Sequence, residues 1–272
     1  MTTLSDRLTT DCLSILQLTD LHILANQDAT LLGVNTAYYF DAVLAAAFAQ
    51  HRNFDLILLT GDLAQDPVVA SYRHILDKLQ ALAIPCICLP GNHDDSALMQ
   101  QVFNTGLISC RKQLILKGWQ IISLDSQVPG SDGGYLHEAE LTFLADCLCS
   151  HAGQYTLVAV HHHCLKTDSL WMDKMMIENS EQFLAVASQH PQVKLVVNGH
   201  IHQIMDKAIA GVRVLGTPST CFQFKPGSRE FELDTTSPAY RYLQLHADGR
   251  IETDVFRLPG QLTGLLTDTE GY

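Results

Sequence analysis

Basic residues are scarce in this chain. Seventeen lysines and arginines stand against 29 aspartates and glutamates in 272 residues, a net charge of −12. A surface of that sign repels a phosphate backbone, which argues against polymeric DNA or RNA as a partner. One small phosphorylated ligand is still admissible, because cation charge inside a cleft can outweigh the surface. Long apolar runs are missing as well. None approaches the roughly 20 residues that cross a bilayer, so no membrane partner is expected. The opening Met1-Thr2-Thr3-Leu4-Ser5-Asp6-Arg7 has neither the basic nor the apolar region of a signal peptide, which makes the cytoplasm the expected location. The eight cysteines, at 12, 86, 88, 110, 147, 149, 164 and 221, never form a C-x-x-C pair. That spacing would be needed for a structural zinc knot or a redox pair, and disulfides are not expected either. Cys86 and Cys88 lie two apart on a predicted strand, share one face and read as small core residues.

What the chain does have is apolar substance: 47% hydrophobic residues with 17% charged. Such a composition builds a globular protein with a substantial core. No repeat, low-complexity tract or linker divides it, so a single domain over 1–272 is expected. The organising stretch is Asp55-Leu56-Ile57-Leu58-Leu59-Thr60-Gly61-Asp62. Its unbroken apolar run, stopped by a glycine, reads as a buried strand that delivers a carboxylate at its carboxyl end. Open α/β sheets place their ligands at that end.

The neighbouring segments repeat the plan. Residues 12–18 form a first strand leading to Asp20 and His22. Residues 37–50 carry a helical stripe of Phe40, Val43, Leu44, Ala47 and Phe48, with Asn35 or Thr36 as cap. After Asp62 a second helix is expected, with Asp66 as N-cap, Pro67 at its first position and Tyr72, Ile75, Leu76 and Leu79 buried. A strand over 84–89 then ends in Gly91-Asn92-His93-Asp94. This βαβαβ order predicts a largely parallel sheet with right-handed crossovers. Further strands fall at 119–124, 155–160 and 193–197, and helices at 141–149 and 181–188. The strand at 155–160 runs into His161-His162-His163, and that at 193–197 into Asn198-Gly199-His200-Ile201-His202. Beyond these, 212–215, 240–245 and 251–256 read as strands without intervening helices, an antiparallel portion on the same core.

Each strand end therefore presents oxygen or imidazole donors. Asp20 and His22 are two apart, so on an extended segment both would point the same way. His200 and His202 repeat that spacing, while Asp62, Asn92 and His161 come singly. Carboxylate, imidazole and amide oxygen suit divalent Mn, Fe, Zn or Co. Any one of these pairs occurs in ordinary turns; five clusters that all terminate apolar strands are another matter. Seven donors exceed one tetrahedral ion and suit two ions that share a carboxylate.

In order, Asp20-x-His22, Gly61-Asp62, Gly91-Asn92-His93-Asp94, His161 and Gly199-His200-x-His202 resemble the motifs of the calcineurin-like metallophosphoesterase superfamily. The segments 32–36, 60–66, 124–128 (Leu124-Asp125-Ser126-Gln127-Val128), 217–226 and 248–253 resemble the bacterial class III 3′,5′-cyclic-AMP phosphodiesterases. This likeness covers nearly the whole chain. It implies an α/β fold with a βαβαβ core, a two-sheet β-sandwich flanked by helices and an antiparallel C-terminal portion. It also implies two divalent ions per chain, iron or manganese ahead of zinc, cobalt or magnesium. Asp20, His22, Asp62 and His202 would hold one ion; Asp62, Asn92, His161 and His200 would hold the other. His93 would be the catalytic residue, contacting the scissile phosphate, with His22, Asn92 and His162 also on the substrate side.

Two departures stand out. Cys164 occupies a place where the family commonly has proline. Three residues after the bridging aspartate, where the similar purple acid phosphatases have a tyrosine ligand, this chain has Gln65. Strand alternation would turn His162 away from His161, leaving His162 and His163 as supporting or substrate-side residues. The reaction implied is hydrolysis of 3′,5′-cyclic AMP to 5′-AMP by a metal-bridging hydroxide. The alternative is a broader phosphodiesterase for 2′,3′-cyclic nucleotides or glycerophosphodiesters. Trp171, among Leu170, Met172, Met175 and Met176, reads equally as a base-stacking or a packing residue. Monomer and dimer are both compatible with the sequence.

Overall fold

The structure, a computed structural model, describes residues 12–51, 53–269 and 271. The amino-terminal segment that lacks a signal pattern lies outside them. Strands β1 (Cys12–Leu18), β2 (Leu56–Thr60), β3 (Cys86–Leu89) and the short β4 (Ile108–Ser109) pair in parallel, side by side. A second sheet is built from β5 (Gln113–Leu116), β6 (Trp119–Ser123), β7 (Tyr155–Val160), β8 (Val193–Asn198), β9 (Met205–Ile209) and β10 (Val212–Gly216), in the order β5-β6-β7-β8-β10-β9. Its inner strands β6, β7, β8 and β10 are parallel, and β5 and β9 close its edges antiparallel. A two-stranded ribbon, β11 (Gln223–Phe224) and β12 (Leu233–Asp234), stands apart. The antiparallel pair β13 (Ala239–His246) and β14 (Ile251–Arg257) extends the first sheet beside β1.

Alternation along the strands explains why the sheets stack. Leu13 and Ile15 of β1, Leu56 and Leu58 of β2, and Leu157 and Ala159 of β7 meet in the core between the sheets. Their neighbours Leu16, Leu18, Ile57 and Leu59 turn outward, under helices α1 (Thr36–Gln50), α2 (Val69–Gln80) and α3 (Ser96–Phe103). Val158 and Val160 turn outward under α4 (Glu138–Ser150) and α5 (Ser180–Ser188). Strands apolar on both faces are what helix-covered parallel sheets require. The tight β5–β6 hairpin turns at Lys117-Gly118, both at positive φ (47° and 82°). That is the primed geometry a two-residue hairpin favours.

The expected sandwich is thus present, with two adjustments. Residues 212–216 lie in the second sheet, where β10 pairs antiparallel with β9 and parallel with β8, and β13 and β14 alone extend the first sheet antiparallel. Asp66 does not cap the second helix, which starts at Val69 without a side-chain cap. The Asp66 carboxylate instead accepts the Ala25 N–H at 3.1 Å, and its carbonyl accepts the Ser71 hydroxyl at 2.8 Å. Asn35 caps α1 as expected, accepting the Tyr38 N–H at 2.7 Å. Among the described residues no helix is long and apolar enough to cross a membrane.

Candidate metal centre

The carboxyl ends of β1, β2 and β3 in one sheet and of β7 and β8 in the other meet along one edge of the sandwich. All seven donors singled out in the sequence sit on the loops that leave these five strands. The loops are conformationally unusual. Asp20, His22, Asp62, His200 and His202 all have φ between 47° and 65°. Non-glycine residues in this left-handed region cost about 1–3 kcal/mol each and persist where surroundings hold them. Here backbone bonds do the holding: Asp20 N–H donates to Gly61 O at 2.9 Å and His22 N–H to Asp62 O at 3.0 Å. The His200 N–H donates to both carboxylate oxygens of Asp20, at 3.1 and 3.0 Å, joining the two sheets. Asp20-x-His22 is therefore not the extended segment its spacing predicts. The pair converges because both residues take the left-handed turn, and His200-x-His202 does the same.

The side chains form overlapping groups whose ligand atoms lie within 4.8 Å of one another: Asp20, His22 and His202; Asp20, Asp62 and His161; His22, Asp62 and His93; His161, His162 and His200. Asp62 Oδ2 is 3.3 Å from His161 Nε2 and 3.8 Å from His22 Nε2. Asp20 Oδ1 is 3.3 Å from His202 Nε2. Asn92 completes the set, with its Oδ1 3.1 Å from His161 Nε2. Room for this approach depends on Gly91, where a Cβ would fall 2.2 Å from Asp62 Oδ1.

Three imidazoles are oriented by oxygen acceptors behind them. The Nδ1 atoms of His22, His161 and His202 lie 2.8 Å from Gln65 Oε1, Thr60 O and Phe222 O respectively. A carbonyl oxygen only accepts, so Nδ1 carries the proton and Nε2 is left to bind. The Nε2 atoms of His22 and His202 then face each other at 3.4 Å, and His200 Nε2 is buried with no hydrogen-bond partner among the described residues. Converging lone pairs beside two carboxylates make a site for cations, and the residues present fit a pair of divalent ions.

Electrostatics agree. Burial pushes the His22 pKa down to about 3, so this imidazole is neutral and able to ligate. Burial works against ionisation of Asp62, but the charge of His161 and the hydrogen bond to it outweigh that and hold the carboxyl well below its ordinary range. His161 shows the counterpart: burial lowers its pKa, yet Asp62 opposite raises it to about 9. A proton thus occupies the place between Nε2 and Asp62 that a cation would take.

His93 sits where a substrate could reach it. Its ring is half-buried, edge-on to His22 at 5.1 Å, and its backbone N–H donates to Asp62 Oδ1 at 2.9 Å. His162 lies closer to the centre than strand alternation predicts, its ring 4.6 Å from that of His200. Strand β7 ends at Val160, so alternation no longer governs it; its Nδ1 is 2.7 Å from Ser126 Oγ. His163 is buried against His200, ring centroids 5.7 Å apart, and 3.9 Å from the Asp173 carboxylate. Cys164 packs into the core under α4 and α5.

Sequence reading missed the groups that brace this centre. Gln65, conspicuous in the sequence only for not being tyrosine, steers His22 through its amide oxygen. Asp94 ties two loops together by accepting the N–H groups of Leu63, Ala64 and Gly91 and the Tyr72 hydroxyl, all at 3.0 Å; burial pushes its carboxyl up to about 6. Gln127, inside the 124–128 motif, donates from Nε2 to Gly91 O at 2.8 Å and Asp94 O at 2.5 Å. It clamps both ends of the turn that carries Asn92 and His93. The motif was the available signal for Gln127; its partners were not legible.

Residues 13–204, which include every candidate ligand, match the family model described as calcineurin-like phosphoesterase. The chain is 42% identical over 257 residues to the 3′,5′-cyclic adenosine monophosphate phosphodiesterase CpdA of Vibrio vulnificus, covering 94% of each chain. It is 42% identical over 259 residues to CpdA of Escherichia coli K12, covering 95% of this chain and 94% of that one. The fold resembles that of a dimetal phosphatase from Danio rerio, with TM-score 0.59, 16% identity and coverage of 90% of this chain and 98% of the other. The chain is an enzyme of the calcineurin-like phosphoesterase family.

Proposed function

We propose that this protein hydrolyses 3′,5′-cyclic AMP to 5′-AMP with two divalent cations. Asp20, His22, Asp62 and His202 would hold one, and Asp62, Asn92, His161 and His200 the other. The observation that carries this reading is the orientation of the His22, His161 and His202 imidazoles, each Nδ1 spent on an oxygen and each Nε2 aimed toward Asp20 or Asp62. Relatives 42% identical across 94% of the chain, named for that reaction, support the substrate. Cations so held would polarise the phosphoryl oxygens and make water nucleophilic near neutral pH.

The protein's own residues do the rest. Among the described residues, no lysine or arginine lines the pocket beside the centre, so no side-chain cation there neutralises a phosphate. His93, fixed through its backbone to Asp62, is placed to donate a proton to the ribose 3′-oxygen as the P–O3′ bond breaks and water's oxygen joins phosphorus. His162, oriented by Ser126, would support the phosphate side from behind His200. Gln127 and Asp94 keep the Asn92-His93 turn in register with Asp62.

The test is kcat/KM for 3′,5′-cyclic AMP, 2′,3′-cyclic AMP and a glycerophosphodiester, before chelation, after it and after restoring Mn²⁺ or Fe²⁺. The 3′,5′-cyclic substrate should lead, and its turnover should vanish on chelation and return with metal. Preference for another diester, or full turnover after complete removal of cations, would overturn the reading.

A further inference from the structure

Asn92, His93 and His200 also line a pocket of about 230 Å³, together with the rings of Trp171, Phe224 and Phe231. Trp171 immediately precedes a short 3₁₀ turn (Met172–Met175), while Phe224 belongs to β11 and Phe231 precedes β12. The three rings meet at steep angles. Trp171 and Phe224 have centroids 5.0 Å apart at 82°, and Trp171 and Phe231 5.3 Å apart at 70°. Phe224 in turn stacks on the candidate ligand His202, at 4.1 Å and 19°. The aromatic corner is therefore continuous with the cation site.

Trp171 is held in place without being sealed off. Its indole N–H donates to Ser228 Oγ at 2.9 Å, and that hydroxyl donates to Lys225 O at 2.9 Å. A ring locked before its ligand arrives pays little ordering cost on binding. Trp171 is half-buried, whereas the chain's other tryptophan, Trp119, is fully buried. A purely packing role would favour burial of the kind Trp119 shows. Among the described residues Asp132 supplies the one carboxylate lining the pocket, and no lysine or arginine lines it. The lining thus suits a flat heteroaromatic group with amino donors, and disfavours a second phosphate.

We propose that this aromatic corner is the nucleobase subsite, with Trp171 as the surface on which a purine stacks. It rests on the cyclic-nucleotide reading and adds to it the residues that distinguish a nucleotide from any other small diester. Base–aromatic stacking is tolerant of which purine is bound, because every base has a π-face.

The test uses the metal-loaded full chain with two cyclic substrates: 3′,5′-cyclic AMP and the 3′,5′-cyclic phosphate of methyl riboside, which has the same ring and no base. Trp171→Ala should raise KM for cyclic AMP by about 5- to 150-fold, the range expected for one lost stack. It should change kcat little and leave the base-free diester unaffected. Trp171→Phe should recover most of the affinity, and Phe231→Ala gives a second, independent perturbation of the same corner. Titration with 5′-AMP should quench tryptophan emission in the wild type and not in Trp171→Phe. Equal losses on both diesters, no loss on either, or emission indifferent to 5′-AMP would overturn the subsite. Should the wild type cleave neither cyclic diester while cleaving other phosphoesters, the cyclic-nucleotide reading fails. The quench by 5′-AMP would then still decide whether the corner binds a purine.

Discussion

Replacing Gly91 by alanine puts a methyl group where the centre has no space for it. The new Cβ would lie 2.2 Å from Asp62 Oδ1, 2.3 Å from Asp62 N and 2.8 Å from Asp62 Cγ. Gly91 is not among the positive-φ residues, so alanine meets no left-handed penalty and the effect is the collision alone. Nonbonded contacts relax near 3.5–4.0 Å, so the turn or the carboxylate must retreat by more than about 1 Å. Overpacking of this kind costs about 1–3 kcal/mol, or a fall in Tm of roughly 2–12 °C for a chain of this size. Catalysis should suffer more, because a 1 Å displacement in a reacting constellation costs about 10²-fold. Gly118→Ala is the control. Its Cβ would meet nothing within 4 Å, so it pays only for a φ of +82°, about 1 kcal/mol. Bound metal by elemental analysis, turnover and thermal unfolding should be recorded for both variants. Gly91→Ala should lose metal and activity out of proportion to its Tm; Gly118→Ala should lose Tm alone. A Gly91→Ala protein with full metal and normal turnover would refute the reasoning.

Other consequences are as direct. His93→Ala should keep both cations and lose about 10²–10⁴-fold in kcat, the range for a missing general acid; unchanged kcat would remove His93 from proton transfer. Because Asp62 raises the His161 pKa to about 9, a cation binding at neutral pH must displace that proton. Calorimetric titrations in buffers of different ionisation enthalpy should detect its release, with affinity climbing as pH rises toward 9 and levelling above; no release would contradict the pairing. Gln127→Leu removes two donors from Gly91 O and Asp94 O, leaving carbonyls whose loss costs about 1–3 kcal/mol. Its kcat should fall while the Tm loss stays modest, and a variant with wild-type kcat would show the clamp to be idle.

Much of the centre was readable because metal ligation uses few residue types and parallel strands deliver them at one end. Asp62, Asn92 and His161 follow from strand ends alone. Asp20-x-His22 was found for a partly mistaken reason: its convergence comes from left-handed backbone, which no residue preference announces at Asp or His with certainty. The His162 direction failed for a related cause, since alternation stops where the strand stops. Among the strands that escaped notice, β4, β11 and β12 are two residues long and too short to carry a pattern, while β5 and β9 are edge strands of four and five residues. The aromatic corner joins Trp171 to Phe224 and Phe231 across more than fifty positions, a proximity that only tertiary packing creates.

Where cations bind is the decisive observation. Crystals of the metal-loaded protein, measured at the anomalous edge of the bound metal, should show two cations per chain on either side of Asp62, one beside Asp20, His22 and His202 and one beside Asn92, His161 and His200. A single cation, or cations bound elsewhere in a fully active protein, would contradict it.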